Sequence, residues 1–408
     1  MDRTELAAWL RLTLTPGVGN GSARKLLAAF GLPESIFAQP AEALLQVLSE
    51  PQVAAIRAMP PGLEALLEAT WNWLCPQADE HADSPCRRIV TLSDVLYPAP
   101  LLAMADPPLM LYLTGERSLL SKALPDDGPA EVEAGAVLSR AFADSIAIVG
   151  SRNTTHQGAA NARHFAKALR QAGLTVVSGL ALGIDGAAHE GALEAHGPGS
   201  GWLATIAVVG TGLDRVYPKS HLELARRIAM HGLILSEYPI GTPPLEVNFP
   251  KRNRIIAGLS KGTLVVEAAL RSGSLITARL AADLGKEVFA IPGSIHSTQS
   301  RGCHALIKQG AKLVESADDV LEELHWQHSA VTAAPSAAGS TSADEAPSSL
   351  DEDDALLRAL GHDPVGLDAL QARTGLDTAH LQARLMQLEL DGHVARLAGG
   401  LFQRIARA

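Results

Sequence analysis

The sequence predicts an α/β protein with a doubly wound parallel sheet, flanked by an N-terminal helical domain and a C-terminal domain of winged-helix type. Three observations predict this fold. Between residues 145 and 326, short apolar runs alternate with helix-length mixed segments, which is typical of parallel strands covered on both faces. Before this region, apolar residues recur at helical spacing. After it, a segment rich in Ala, Ser and Pro leads into three helical segments and a hairpin.

Residues 1–75 are predicted to form a domain of short helices, of SAM-like or helix-hairpin-helix type, because Pro and Gly interrupt their helical pattern at short intervals. The turn Leu14–Asn20, followed by Ala23–Phe30, resembles a helix-hairpin-helix turn. Backbone N–H groups in such a turn can face a phosphate. A protein-interaction module fits the same pattern equally well.

Residues 76–144 are predicted to bridge the helical domain and the α/β domain. Ile89–Leu92 and Leu109–Leu113 have the composition of short strands, and Tyr97-Pro98 marks a turn between them. Residues 118–144 show no periodic pattern, and we interpret them as an insertion.

The α/β domain is predicted to span residues 145–326. Each strand in it is followed by a segment long enough for a helix, so the strands are expected to be parallel. Ligands of such sheets bind beyond the carboxyl ends of the strands. The predicted strands are Ile146–Val149, Thr175–Ser178, Thr205–Val209, Leu233–Glu237, Thr263–Glu267, Val288–Ile291 and Lys312–Val314.

Residues 327–350 have the composition of a flexible linker. Residues 351–408 then predict a winged-helix-like domain, although a plain helical adaptor has the same signals. Its predicted helices are Asp353–Leu360, Leu367–Thr374 and Thr378–Asp391, and its hairpin pairs Val394–Leu397 with Leu401–Ile405.

The net charge of −10 over 408 residues argues at first against a nucleic-acid partner. However, residues 145–325 contain 18 Lys and Arg against 15 Asp and Glu, which leaves this region at +3 and the rest of the chain at −13. Three cysteines without CxxC spacing indicate neither a disulfide framework nor a zinc site. Because no apolar run approaches about 18 residues, we expect a cytoplasmic protein without a membrane segment.

Two turns that follow predicted strands are rich in glycine. Gly150-Ser151-Arg152 offers backbone N–H groups and a planar cation, both suited to a phosphate, although an ordinary turn has the same residues. The turn Ser178–Gly186 lacks the glycine spacing of the dinucleotide fingerprint, so NAD is disfavoured. Asp185 and His189 lie four residues apart and could form an acid/base pair, but we favour a helix-capping role for Asp185.

The segment Asn248–Arg254 has the strongest functional pattern in the chain. It places three cations, two amides and Phe249 just before the predicted helix Ile255–Leu259. Such cations can hold phosphates while an aromatic ring stacks on a base. The alternative is a solvated basic turn with Phe249 in the core.

A further polar group lies at the end of the strand that contains Glu267 and in the turn Ser272-Gly273-Ser274 that follows it. A carboxylate in this position could be catalytic in an N-glycosidase, or could pair with arginines, which is the commoner arrangement. No P-loop and no zinc-protease motif occurs in the sequence.

Taken together, an ordered series of motifs closely resembles the DNA-processing protein A (DprA, or Smf) family. The series covers essentially all of residues 145–324. Its motifs are VGSR at Val149–Arg152, SGLALGIDGAAH at Ser178–His189, Gly210–Gly212 with Tyr217-Pro218, SEYP at Ser236–Pro239, NFPKRNRIIAGLS at Asn248–Ser260, VVEAALRSGSLITA at Val265–Ala278 and IPG at Ile291–Gly293.

The resemblance implies an extended Rossmann-like domain that binds single-stranded DNA without sequence preference, forms a homodimer and helps to load the RecA recombinase during natural transformation. It implies a binding protein that is not an enzyme and has no metal or cofactor. The C-terminal domain would contact duplex DNA or protein. With the loop patterns above, it predicts DNA-binding residues at Gly150, Ser151, Arg152, Lys219, Phe249, Lys251, Arg252, Asn253, Arg254, Ser272, Gly273 and Ser274.

One position departs from the family pattern, because His304 follows Gly302-Cys303 where the family commonly has Asn. The alternative function is a nucleotide phosphoribohydrolase on a related fold. Gly262-Thr263 and Glu267 resemble its Gly-Thr-x-x-Glu element loosely, with the Glu one position too far along and the flanking Pro-Gly-Gly missing.

Overall fold

The computed structural model describes residues 1–75, 84–120, 129–197, 203–326, 356–357, 359–360, 365–397 and 400–405. The predicted linker and half of the predicted helix Asp353–Leu360 lie outside these residues. The strands of the first sheet are β1 (Cys86–Thr91), β2 (Met110–Gly115), β3 (Ser145–Val149), β4 (Thr175–Ser178), β5 (Thr205–Val208), β6 (Leu233–Ser236), β7 (Gly262–Val265), β8 (Glu287–Ala290) and β9 (Lys312–Leu313).

These nine strands form one sheet in the order β1-β2-β6-β5-β4-β3-β7-β8-β9. The seven strands from β6 to β9 are parallel, and β1 and β2 join antiparallel at one edge. The predicted doubly wound sheet is therefore confirmed. All seven predicted parallel strands are present, with bounds that differ by at most two residues.

Helices cover both faces of the sheet and form most of the N-terminal region. They are α1 (Arg3–Leu14), α2 (Asn20–Phe30), α3 (Pro33–Phe37), α4 (Ala41–Leu44), α5 (Glu50–Arg57), α6 (Leu63–Leu74), α7 (Ala99–Leu102), α8 (Arg117–Leu120), α9 (Pro129–Ala143), α10 (His156–Gln171), α11 (Ile184–Glu194), α12 (Leu222–His231), α13 (Asn248–Leu259), α14 (Ser274–Asp283), α15 (Arg301–Lys308) and α16 (Ala317–Glu323).

Strand β3 shows why the parallel strands are apolar throughout. Ala147 and Val149 belong to the core on one face of the sheet, whereas Ile146 and Ile148 belong to the core on the other. Successive side chains of a strand point to opposite faces, so a strand covered on both sides needs apolar residues at every position.

The bridging segment is part of the sheet. Strands β1 and β2 extend it beyond β6, and residues such as Ile89 and Tyr112 pack into the core of the N-terminal helices. Residues 118–144, which we interpret as an insertion, include α9, whose Leu138 and Phe142 are fully buried in the main core. The helix α9 was not predicted because charged and small residues separate its apolar residues and weaken the helical periodicity of the sequence.

The C-terminal part forms a separate three-stranded sheet and two helices. The strands are β10 (Val365–Gly366), β11 (Val394–Leu397) and β12 (Leu401–Arg404), in the order β10-β12-β11, and the helices are α17 (Leu367–Thr374) and α18 (Thr378–Leu390). The predicted hairpin and these two helices are confirmed. Strand β10 was not predicted, since two residues are too few to give a pattern.

In the described part of the chain, no helix has both the length and the apolar character needed to cross a membrane.

Candidate functional site

A pocket of about 620 Å³ lies at the carboxyl ends of the parallel strands. Strands β3 and β7 are neighbours, but the chain continues from β3 to β4 on one side and from β7 to β8 on the other. Such a switch point opens a crevice in which doubly wound sheets bind their ligands. The lining residues come from the segments after six strands and include Gly150–Asn153, Asp185, Tyr217, Phe249, Arg252, Asn253, Arg271–Ser274 and Gln299.

The loop after β3 brings its backbone close to the end of β7. A Cβ atom on Gly150 would lie 2.5 Å from the Ile184 side chain and 2.9 Å from the carbonyl oxygen of Glu267, so only glycine fits there. The N–H of Ser151 donates to that same carbonyl at 2.8 Å. This packing leaves Arg152 exposed at the mouth of the pocket.

Glu267 holds the β3 loop in place from the end of β7. Its carboxylate accepts hydrogen bonds from the hydroxyl of Thr154 at 2.8 Å, and from the N–H and hydroxyl of Thr155 at 3.0 and 2.5 Å. The expectation that Glu267 pairs with arginines is therefore wrong, because its partners are threonines. Both of its oxygens are occupied, and it is not among the residues that line the pocket.

Asp185 and Arg252, which line the pocket, and His189 are buried polar residues that we call the buried polar layer. Asp185 accepts hydrogen bonds from the N–H groups of Gly179 and Ala181, at 3.1 and 3.4 Å. The expected capping role is wrong in detail, since Gly183 occupies the N-cap position of α11 and Asp185 binds the loop before it. Burial raises the pKa of Asp185, and the positive charge of Arg252 opposes this shift.

Arg252 is predicted to bind DNA, but its side chain is only 4% exposed. Its guanidinium packs so tightly against Gly179 that a Cβ atom there would overlap it. Burial lowers the pKa of Arg252 to about 10, while the charge of Asp185 acts in the opposite direction. Arg252 therefore remains a cation at neutral pH and places a positive charge in the pocket lining.

His189 is buried and neutral. Its Nδ1 lies 2.8 Å from the Thr205 hydroxyl, which donates its own hydrogen to the carbonyl of Val176. Nδ1 therefore carries the proton and donates to Thr205, and Nε2 has no hydrogen-bond partner among the described residues. Burial lowers the pKa of His189 to about 3, helped by the nearby charges of His221 and Arg252. Because His189 bonds Thr205, the geometry gives no support to an Asp185–His189 acid/base pair.

The segment Asn248–Arg254 forms the first half of α13 instead of a loop before it. At about 100° of rotation per residue, its cations point in different directions. Lys251 is exposed and Arg252 is buried. Arg254 bonds Glu237 and donates to the carbonyl of Asp106 at 2.6 Å, away from the pocket.

An aromatic pair stands in the pocket wall. The rings of Tyr217 and Phe249 are stacked, with centroids 5.6 Å apart and 30° between their planes. The Arg152 guanidinium lies over the Phe249 ring, 5.4 Å from its centroid. Phe249 is half-buried and Tyr217 is 46% exposed.

Four exposed cations lie on the loops and the helix that contribute to the pocket lining, and we call them the pocket rim: Arg152, Lys219, Lys251 and Arg271. Arg152 and Arg271 line the pocket itself. Lys219 follows Tyr217-Pro218 after β5, and Lys251 lies in the first turn of α13; neither lysine lines the pocket. Sequence reasoning missed Arg271 and Tyr217. Arg271 directly precedes the predicted turn Ser272–Ser274, and this adjacency could have identified it.

The remaining predicted residues lie on α13 and around the start of α14. Asn253 donates through Nδ2 to the carbonyl of Gly273 at 3.3 Å, and the hydroxyls of Ser272 and Ser274 lie 2.7 Å apart. All four residues line the pocket. His304, whose role the sequence left open, lies elsewhere, with Nε2 3.0 Å from the carbonyl of Gly293.

The fold and this site define a class: doubly wound α/β proteins with a cationic pocket at the switch point of the sheet. Comparisons with known proteins identify the family within it. Residues 135–325 match the family model described as DNA recombination-mediator protein A, and residues 340–400 match the DprA winged helix domain.

Individual relatives agree with these models. Protein Smf of Escherichia coli K12 is 38% identical over 349 residues, covering 84% of this chain and 82% of that protein. DNA processing protein DprA of Streptococcus pneumoniae is 42% identical over 250 residues, covering 61% of this chain and 79% of that protein. The X-ray structure of DprA from Streptococcus pneumoniae aligns with a TM-score of 0.56 and 34% identity, covering 79% of this chain and 98% of that one. The chain belongs to the DprA/Smf family of DNA-processing proteins, as the sequence motifs predicted.

Proposed function

We propose that this protein binds single-stranded DNA without sequence preference along the carboxyl edge of its sheet. The observation that carries the proposal is the convergence of the pocket rim and an exposed aromatic ring on one pocket, contributed by loops after four different strands. Cations that track a backbone, combined with a stacking platform, are the usual elements of single-strand binding. Membership in a family of DNA-processing proteins supports the same ligand.

Single-stranded DNA fits this surface better than a free nucleotide does. A mononucleotide held in the pocket has only Arg152 and Arg271 of the rim cations in its lining. Lys219 and Lys251 lie outside the pocket lining, so a ligand must extend beyond the pocket to use the whole rim. We therefore place the predicted residues Gly150, Ser151, Arg152, Lys219, Phe249, Lys251, Asn253, Ser272, Gly273 and Ser274 at the DNA surface, with Arg252 buried in the pocket lining and Arg254 supporting α13.

Fluorescence anisotropy of a labelled oligothymidylate tests this proposal. We expect the full chain to bind the strand, and a nucleoside monophosphate at equal phosphate concentration to displace little of it. If the monophosphate displaced the strand fully, the site would be a nucleotide pocket.

We further propose that the protein acts in the cytoplasm as a homodimer that loads RecA on incoming single strands during natural transformation. The family description as a recombination mediator supports this role. The test is RecA's DNA-dependent ATP hydrolysis on a strand coated with single-strand-binding protein, which this protein should accelerate. An unchanged lag before hydrolysis would exclude the mediator role while leaving DNA binding intact.

The C-terminal domain is a weaker candidate for binding single-stranded DNA. Its described residues 365–397 and 400–405 contain four Arg and four acidic side chains, so they offer no excess of positive charge. We expect that Arg373→Gln and Arg384→Gln leave affinity for the strand unchanged.

The alternative function, a nucleotide phosphoribohydrolase, needs a carboxylate that can reach a substrate. Glu267 is its only counterpart proposed from the sequence, and the threonines of the β3 loop occupy both of its oxygens. Incubation with nucleoside monophosphates should therefore release no free base. Release of base at a rate that Glu267→Gln abolishes would reverse this conclusion.

A further inference from the structure

The two rings of the aromatic pair differ in how much surface they offer a ligand. Phe249 contacts Tyr217 and the Arg152 guanidinium. It also lies so close to Gly210 that a Cβ atom there would be 3.2 Å from its ring. Phe249 therefore contacts an aromatic ring, a cation and the backbone, which leave it half-buried in the pocket lining.

Tyr217 packs against Phe249 and is also exposed to solvent. Stacking on Phe249 fixes the plane of its ring, while 46% of the residue stays exposed. It lines the pocket, and Lys219 follows it by two residues at the same edge of the sheet. A rigid aromatic face beside exposed cations is the arrangement that receives a base while its phosphates are neutralised.

We propose that Tyr217 is the base-stacking platform of the DNA site and that it makes the site prefer single strands to duplex. This inference rests on the proposed function. Phe249, which the sequence singled out, is a positioning residue that holds the Tyr217 ring.

The preference for single strands follows from what each contact requires. The cations of the rim recognise phosphates, which duplex and single-stranded DNA share. A base can stack on Tyr217 only if its face is free, and in a duplex both faces are covered by neighbouring base pairs. Stacking therefore adds affinity for single strands alone, whereas the cations add affinity for both forms.

The test compares Tyr217→Leu with Tyr217→Phe in the full chain, using an oligothymidylate with one central 2-aminopurine and a duplex of equal length. Each aromatic–base stack contributes about 1–3 kcal/mol, so Tyr217→Leu should weaken single-strand binding about 5- to 150-fold. Duplex affinity should change less than twofold. Tyr217→Phe should retain both affinities, because it keeps the ring.

Two readouts separate stacking from a structural effect. The slope of log affinity against log salt should be the same in Tyr217→Leu as in the wild type, since no phosphate contact is lost. Quenching of 2-aminopurine on binding should disappear in Tyr217→Leu and persist in Tyr217→Phe. Leu222→Ala is the matched control, because Leu222 is 44% exposed nearby and does not line the pocket.

The outcomes are distinct. If the wild type binds single strands and Tyr217→Leu keeps both affinity and quenching, the platform is not Tyr217, and the proposed function survives. If the affinities for single-stranded and duplex DNA fall together, Tyr217 does not cause the preference for single-stranded DNA. If the wild type binds no single-stranded DNA, the proposed function and this inference both fail.

Discussion

The pocket rim and the buried polar layer come from neighbouring loops and the same helix, yet they place charge in opposite surroundings. Arg152, Lys219 and Lys251 are exposed, whereas Arg252 and Asp185 are buried next to each other. An exposed cation can exchange water for a phosphate at little cost to folding. A buried charge must be compensated inside the protein, because its loss of hydration is expensive.

This difference teaches that one basic segment can serve two purposes. Lys251 and Arg252 are adjacent in sequence, but the turn of α13 leaves one exposed to solvent and buries the other. We infer that rim residues govern DNA affinity and that the buried polar layer governs stability and holds the loops in position.

The largest effect is expected from Asp185→Ala. It leaves the charge of Arg252 without its buried counterpart and removes the acceptor of the Gly179 and Ala181 N–H groups. Breaking a buried pair from one side costs about 3–5 kcal/mol. Urea unfolding should show this loss of free energy of unfolding, and Asp185→Asn should lose less because it keeps an acceptor. Equal stability of Asp185→Ala and the wild type would contradict a structural role for the layer.

Arg152→Ala should weaken DNA binding and leave the free energy of unfolding unchanged. A hydrogen bond to a charged group is worth about 1.5–3 kcal/mol, so affinity for a labelled single strand should fall roughly 30-fold. Arg226→Ala, which removes an exposed arginine on α12 paired with Glu223, is the matched control and should bind normally. If Arg152→Ala also shifted the urea midpoint, the assignment of DNA affinity to the pocket rim and of stability to the buried polar layer would be wrong.

His189 predicts a pH dependence of stability. Its pKa is about 3 when folded, against a usual value near 6.5, so the unfolded chain binds an extra proton as pH falls below 6.5. Stability is therefore lost towards acid, by about 1 kcal/mol between pH 7 and pH 5.5. His189→Gln removes this contribution, so the variant should lose less free energy of unfolding than the wild type over that range. Parallel losses in both proteins would show that His189 titrates normally.

The smallest effects are expected from Lys219→Ala and Lys251→Ala. Loss of one phosphate contact reduces the salt slope by about 0.7, which corresponds to about fivefold in affinity near 0.1 M salt. Salt titrations of each variant measure both quantities. Lys167→Ala is the control, because Lys167 is exposed on α10 well past the first turn of that helix. A slope unchanged in both rim variants would remove these lysines from the site.

The sequence predicted the strands, their parallel direction and the loops that meet at the pocket. Apolar runs and glycine-rich turns are local signals, so a single segment of sequence reveals each of them. It could not predict the direction of each side chain on α13, since the helix begins at Asn248, seven residues before the predicted start. The exposure of Tyr217 and the burial of Arg252 depend on contacts between loops that are distant in the chain. The threonine partners of Glu267 lie 112 and 113 residues away, which no local pattern reveals.

A salt titration of single-stranded DNA binding by the full chain tests the central claim most directly. If the four rim cations neutralise about four phosphates, log affinity should fall with log salt at a slope of roughly −2.8. The slope should become about 0.7 less steep in Arg152→Ala and stay unchanged in Arg226→Ala. A wild-type slope near zero would contradict the assignment of this edge of the sheet to a DNA backbone.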